Sequence, residues 1–143
     1  MYVLIRSLLF LCPPERAHHL SLALFKLILS IPLLKPLVLW LSKPNGPSVE
    51  LFGLNFTSPV GLAAGFDKNA EHTRIIECLG FGFIEIGSVT FKPWVGNAQP
   101  RLFRLPKDTA IINRMGLNNQ GAEAVAKRLS SVDLSIPLFV NVA

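Results

Sequence analysis

Residues 59–90 read PVGLAAGFDKNAEHTRIIECLGFGFIEIGSVT, and this stretch decides the fold. An apolar run at 59–64 ends in small residues. An amphipathic segment follows at 68–79 and stops at Gly80, a residue suited to ending a helix. A second apolar run occupies 83–89. Strand, helix, strand with uninterrupted apolar strands is the pattern of a parallel sheet with both faces covered. Downstream the alternation continues, with a helix predicted at 119–129 and a third strand at 137–142. Upstream, 49–56 alternates around Gly53-Leu54-Asn55 as a small hairpin. The fold class expected for 44–143 is therefore α/β. Between the second strand and the second helix lies a long connection, 90–118, rich in Arg, Pro and Asn. Loops at the C-terminal ends of parallel strands are where such folds place their chemistry. Three parallel strands would leave an edge open, so the chain is expected to be a fragment of a longer protein.

The first 43 residues have another character. Helices are predicted at 2–11, at 15–30 after Pro13 and Pro14, and at 33–42, the last broken or kinked near Pro36. On the second, His19, Lys26 and Ser30 share one narrow stripe, and leucines fill much of the remainder. A helix so apolar around its circumference needs either a protein core or a lipid interface. Lys43-Pro44-Asn45-Gly46-Pro47 reads as a linker. Charge is distributed unevenly: five bases (Arg6, Arg16, Lys26, Lys35, Lys43) face Glu15 alone before residue 50, giving +4 of the net +5. Excess positive charge within the most apolar third points to an anionic membrane surface rather than to nucleic acid.

Composition excludes other classes. Half the residues are apolar and 16% charged, which rules out disorder. Cys12 and Cys78 stand far apart without His or Cys at metal-ligand spacing, so two reduced thiols in a cytosolic protein and no metal site are expected. Glu15 and Arg16 interrupt the apolar start, and no small-residue cleavage site follows, which argues against a secretory signal. Lys26 divides the longest apolar stretch, so no spanning helix is expected.

Three motifs carry candidate chemistry. At 61–69, Gly61-Leu62-Ala63-Ala64-Gly65-Phe66-Asp67-Lys68-Asn69 lies at the end of the first strand. Small residues there let a flat ring or a phosphate approach the backbone, and Lys68 supplies a mobile cation. Such a cation would stabilise a reduced flavin ring or bind a carboxylate; a plain strand-to-helix turn capped by Asp67, with Lys68 solvated, uses the same residues. At 86–90, Ile86-Gly87-Ser88-Val89-Thr90 offers hydroxyls and open backbone at the same sheet edge, or ordinary β-propensity. At 100–105 and 112–119, PRLFRL and INRMGLNN bring Arg and Asn together. Asn side chains both donate and accept, which suits a planar imide or amide, although Asn118 or Asn119 also suits the N-cap of the next helix.

In order, spacing and identity together, these motifs resemble the class 2, quinone-linked dihydroorotate dehydrogenases. The resemblance runs from Pro14-Glu15-Arg16-Ala17-His18 through GLAAGFDKN (61–69), GFGFIEIGSVT (80–90), GN (96–97) and PRLFRL to INRMGLNN. It implies a (β/α)8 barrel, of which these residues supply the first three strands, with FMN across its C-terminal face. Residues 1–43 would form an amphipathic, membrane-associating helical segment with a quinone tunnel, and 44–143 the N-terminal part of the barrel. By position, the resemblance assigns FMN contacts to Ala64, Gly65, Phe66, Asp67, Lys68, Ser88 and Asn141. It assigns dihydroorotate and orotate contacts to Lys68, Asn113, Arg114, Met115, Gly116 and Leu117, and the quinone tunnel to His18 and Arg104.

The implied reaction is oxidation of (S)-dihydroorotate to orotate, with FMN as hydride acceptor and quinone as final acceptor, in pyrimidine biosynthesis. The implied base is a serine beyond residue 143, so the 143 residues alone are expected to be inactive. A peripheral monomer on the cytoplasmic face of the cell membrane, with no nucleic-acid partner, completes the expectation. Two other readings remain open: a class 1 flavin barrel, against which the N-terminal extension speaks, and an inert membrane-binding fragment. Phe91, Leu117 and Ala143 depart from the family pattern, where Pro, Phe and Gly are usual.

Overall fold

The computed structural model describes residues 2–44 and 46–143; Asn45, inside the predicted linker, lies outside them. Three helices come first: α1 (Tyr2–Phe10), α2 (Pro14–Ser30) and α3 (Leu34–Leu41). Pro14 sits at the first position of α2, where a missing N–H costs nothing. Pro36 leaves α3 unbroken, contrary to the expected kink, because it falls in the first turn and removes no internal hydrogen bond. A two-stranded antiparallel hairpin follows, β1 (Val49–Leu51) and β2 (Leu54–Phe56). Its turn is Phe52-Gly53, one residue earlier than predicted, and both residues take positive φ (55° and 72°) as a tight two-residue turn requires.

The parallel sheet is centred on β3 (Ile84–Val89), which pairs in parallel with β6 (Leu138–Val142) on one side. On the other side the predicted strand 59–64 contributes a single parallel rung, Leu62 opposite Ile84. Leu62 donates to Phe83 and accepts from Glu85 (3.0 and 2.8 Å). Pro59 has no N–H to extend that pairing, and beyond Leu62 the chain departs into a loop. The predicted helix 68–79 is reduced to α4 (Thr73–Glu77). Asp67 captures the backbone N–H groups of the preceding turn, and Ala70 takes φ 57°, outside the right-handed helical region.

Within the long connection, unexpected from sequence, lies a second antiparallel hairpin: β4 (Leu102–Leu105) and β5 (Ala110–Asn113), in register Leu102 to Asn113. The last helix, α5 (Ala122–Leu129), begins later than predicted, with Gly121 at its N-cap. The core of the sheet region joins Ile76, Ile84, Ile86, Val89, Val125 and Ile136. The helical hood α1–α3 packs through α2 against α4 and β4. Among the described residues no single helix is long and apolar enough to cross a membrane, although α2 and α3, bent by 116°, reach that length and apolarity together.

Candidate functional site

One wall of the site is the loop that leaves Leu62. Asp67 is buried, and its carboxylate accepts the N–H groups of Asn69 (3.3 Å), Glu71 (2.9 Å) and His72 (2.7 Å). The expected cap thus closes a loop rather than a helix, and its charge is spent on the backbone. That fixes the preceding turn. Gly65 donates to Gly87 at 2.8 Å with φ 100°, and nothing lies within 4 Å of where a Cβ would stand. A side chain is disfavoured there by the backbone, and the open space beside it faces the cavity.

Lys68 follows, half-buried, with no hydrogen-bond acceptor within reach among the described residues. Burial lowers its pKa from the ordinary lysine value. Arg101 pushes the same way, and Glu15 opposes both.

The floor comes from the parallel strands. The pairing of β3 with β6 shifts register between Ile86 and Val89, so strict alternation fails and Glu85 and Ser88 both reach Asn141. The Ser88 hydroxyl donates to the Asn141 amide oxygen, and the Asn141 amide nitrogen donates to Glu85 at 3.3 Å. Glu85 also accepts the Ala64 N–H at 3.4 Å, which ties floor to loop.

The third wall is the turn after β5. Gly116 takes φ 73°, and a Cβ there would stand 2.8–2.9 Å from Asn97 atoms, so only glycine fits. Asn97 fastens the turn from outside, donating its N–H to Met115 (3.0 Å) and its amide to Arg114 (2.8 Å). Asn119 is buried and donates to Thr90 Oγ1 (2.8 Å) and the Leu117 carbonyl (2.7 Å). Its oxygen accepts the N–H groups of Gly121 (2.8 Å) and Thr90 (3.2 Å). It therefore locks the loop rather than capping α5 at the expected position.

The helical hood closes the fourth side. Arg104, on β4, donates to the Cys12 carbonyl at 2.7 Å and to Leu9 at 3.4 Å, and its guanidinium lies 4.4 Å over the Phe10 ring. A cation there satisfies carbonyls at the C-terminal end of α1. His18, on α2, meets the Phe66 ring edge-on at 4.7 Å, and burial lowers its pKa from the usual histidine value. Among these four sides lies a cavity of about 1180 Å³.

Into this cavity the chain brings Ala64, Gly65, Phe66, Asp67, Lys68, Ser88, Asn113, Met115, Gly116, Leu117 and Asn141, together with His18 and Arg104. These residues come from separate segments of the sequence. Arg114 is the exception. Its guanidinium turns outward to the Pro100 carbonyl (3.1 Å) and lies 6.0 Å from the Phe103 ring. Alternation along the chain past Asn113 places its side chain on the opposite face, and its backbone N–H and carbonyl are bonded to Arg101 and Asn97, so Arg114 does not line the cavity.

The family model for dihydroorotate dehydrogenase matches residues 47–142. The chain belongs to the dihydroorotate dehydrogenase family. Its curated relatives include the dihydroorotate dehydrogenase (quinone) of Mycobacterium leprae, 46% identical over all of this chain and 41% of the relative. That of Halorhodospira halophila is 50% identical over 90% of this chain and 36% of the relative. The chain thus spans about two fifths of the length of the curated relatives it matches. Among solved structures, ligand-free dihydroorotate dehydrogenase from Eimeria tenella superposes with a TM-score of 0.61 at 42% identity, covering 76% of this chain and 35% of that one.

Within this member of the family, two features of the site escaped sequence reading, Glu85 and the Glu15–Arg101 pair. Glu85 was hidden inside an apolar strand, although a lone carboxylate between Ile84 and Ile86 was a signal of a polar inner face. Glu15 and Arg101 pair across the cavity rim at 2.9 Å; both read as ordinary charges because 86 residues separate them. Asn118, already a candidate in the INRMGLNN motif, lines the cavity with a buried side-chain oxygen that has no partner among the described residues. Cys12 and Cys78 are free thiols, and no group of three or more metal-ligating side chains occurs among the described residues.

Proposed function

We propose that the full-length protein oxidises (S)-dihydroorotate to orotate, with FMN as hydride acceptor and a membrane quinone as final electron acceptor, in the biosynthesis of UMP. The observation that carries this reading is the convergence of the residues assigned by position, Arg114 apart, on one cavity. The quinone in the names of the relatives supports the same reading.

The residues present fit FMN. Gly65 leaves open backbone on which a flat ring can lie, Ser88 and Asn141 hold polar groups at the floor, and Ala64 keeps the approach small. Phe66 and Asp67 complete that side, Asp67 through the loop it shapes. FMN, when bound, supplies the hydride-accepting ring. Lys68 lines the same cavity, and its half-buried ammonium would stabilise negative charge on ring and substrate, the more strongly for its desolvation. Asn113, Met115, Gly116 and Leu117 present a shaped polar edge to the planar substrate. His18 and Arg104 stand on the hood side, where quinone enters.

The sheet region, 44–143, forms the first part of a (β/α)8 barrel in this reading. Residues 1–43 form the membrane-associating segment and hold a peripheral monomer on the cytoplasmic face of the cell membrane. The exposed side chains Leu11, Leu33 and Trp40 support that placement, since apolar surface of this size seeks a lipid interface.

The test is spectroscopic. Full-length protein purified with bound flavin should bleach anaerobically on dihydroorotate and recover its colour on adding quinone. Flavin that stays oxidised with dihydroorotate would refute the substrate. Recovery with a soluble acceptor but not with quinone would move the protein to the class 1 reading.

A further inference from the structure

Hood and substrate loop meet at one ion pair. Glu15, in the first turn of α2, accepts from Arg101 Nε at 2.9 Å and from Nη2 at 3.1 Å, and from Gln99 at 3.0 Å. The two charged side chains are 19% and 11% exposed. The Glu15 carboxyl is held below its usual range, first by its hydrogen bond to Arg101, so the pair stays charged at neutral pH. Exposed pairs contribute little, but a shielded, forked pair is different, because removing one partner strands the other.

Arg101 does not stop at Glu15. Its Nη1 donates to the carbonyls of Val95 (2.8 Å) and Asn97 (3.1 Å), and its own carbonyl accepts the Arg114 N–H at 2.8 Å. Asn97, held in this way, donates to the carbonyls of Met115 and Arg114. A continuous ladder therefore runs from Glu15 through Arg101 and Asn97 to the turn at 113–117.

We propose that Glu15 and Arg101 are positioning residues that set the conformation of the 113–117 turn from helix α2, so that seating of the hood and order of the substrate loop share one network. This deepens, and rests on, the reading of 113–117 as the dihydroorotate loop. Neither residue is required to touch substrate. Their loss should weaken capture of dihydroorotate and spare the chemical step once substrate is bound.

The experiment uses the full-length protein and its Glu15→Gln, Arg101→Lys and Asn97→Asp variants. Arg101→Lys keeps the charge and loses the fork; Asn97→Asp breaks the far end of the ladder without touching α2. Amide exchange is read at Asn97 and Arg114, with the Ile84 amide, bonded to Pro137 at 3.0 Å in the core, as the folding control. In all three variants exchange at Asn97 and Arg114 should quicken and the KM for dihydroorotate should rise, each by about tenfold, with flavin reduction at saturating substrate kept within about threefold. Unchanged exchange in Glu15→Gln would overturn the clamp. A fully active Arg101→Lys would show that charge alone matters and would also overturn it. Faster exchange with an unchanged KM would leave the clamp standing and overturn the dihydroorotate reading of the loop.

Discussion

In β3, Ile84 and Ile86 have no exposed surface, and Ile76, Val89 and Val125 close around them. In α1–α3 and the turns that join them, by contrast, Ala17 and Leu22 are the buried residues among those described, while Leu11, Leu33 and Trp40 stand 82%, 84% and 72% exposed. Apolar residues thus do different work in the two regions. In the sheet they exclude water from a core that fixes the floor of the site. In the hood most of them face outward, while the side of α2 that carries Ala17, His18 and Leu22 and the C-terminal end of α1 against Arg104 seat on the rest of the protein. The same hydrophobicity serves folding in one region and, in our reading, membrane attachment in the other.

The sharpest way to break this comparison is to truncate one residue in each region. Ile84→Ala should lower unfolding free energy by about 3 kcal/mol, because a fully buried isoleucine leaves a cavity that rigid strands cannot collapse. Leu33→Ser should leave the unfolding free energy, read by urea denaturation, within about 0.5 kcal/mol of the parent, as surface changes do. If both residues cost the same stability, the hood is core.

The complementary effect is read on anionic vesicles. Replacing Leu33 and Trp40 by Ser should weaken binding by roughly 1.5–3 kcal/mol for each side chain that reaches the acyl boundary. Residual binding should fall further with salt as the basic side chains are screened. Ile84→Ala, measured well below its unfolding midpoint, should bind as the parent does.

How much of this was legible in the sequence follows from the same physics. Unbroken apolar runs disclosed β3 and β6, and the proline-bounded segments disclosed α1 and α2, since local pattern and tertiary environment agree there. The predicted helix at 68–79 failed because Asp67 competes for the N–H groups that would have begun it. The β4–β5 hairpin was missed because a four-residue strand inside a loop rich in Arg and Pro carries little periodicity. The residues assigned by resemblance line one cavity, Arg114 apart, because position does not tell which side of a turn a side chain takes. The Glu15–Arg101 pair exists only in three dimensions and was not foreseen.

A smaller and subtler effect sharpens the contrast between stability and function within the sheet region. The Lys68 pKa is lowered on folding, mainly by burial, so the folded state binds this proton less tightly than the unfolded one. Below the folded pKa the protein carries the cost of a desolvated ammonium; between the folded pKa and the ordinary value of 10.5, stability contributed by this residue rises with pH. Lys68→Met should therefore raise Tm at neutral pH, and the gain over the parent should shrink as pH climbs toward 10.5. A lower Tm for Lys68→Met at neutral pH would mean that the ammonium is already satisfied in the folded protein.

In our reading, sheet and hood divide the labour: a flavin and dihydroorotate site on one, membrane and quinone access on the other. Stopped flow on the full-length protein tests this division most directly, comparing Lys68→Ala with the Leu33→Ser/Trp40→Ser pair. The two half-reactions are observed separately: flavin bleaching by dihydroorotate, and recovery on vesicles carrying quinone. Lys68→Ala should slow bleaching about a hundredfold, the loss expected when a group aimed at developing charge is removed, and should sediment normally with vesicles. The hood pair should bleach at the parent rate and recover slowly. Bleaching slowed equally by both variants, or unaffected by loss of Lys68, would contradict the division.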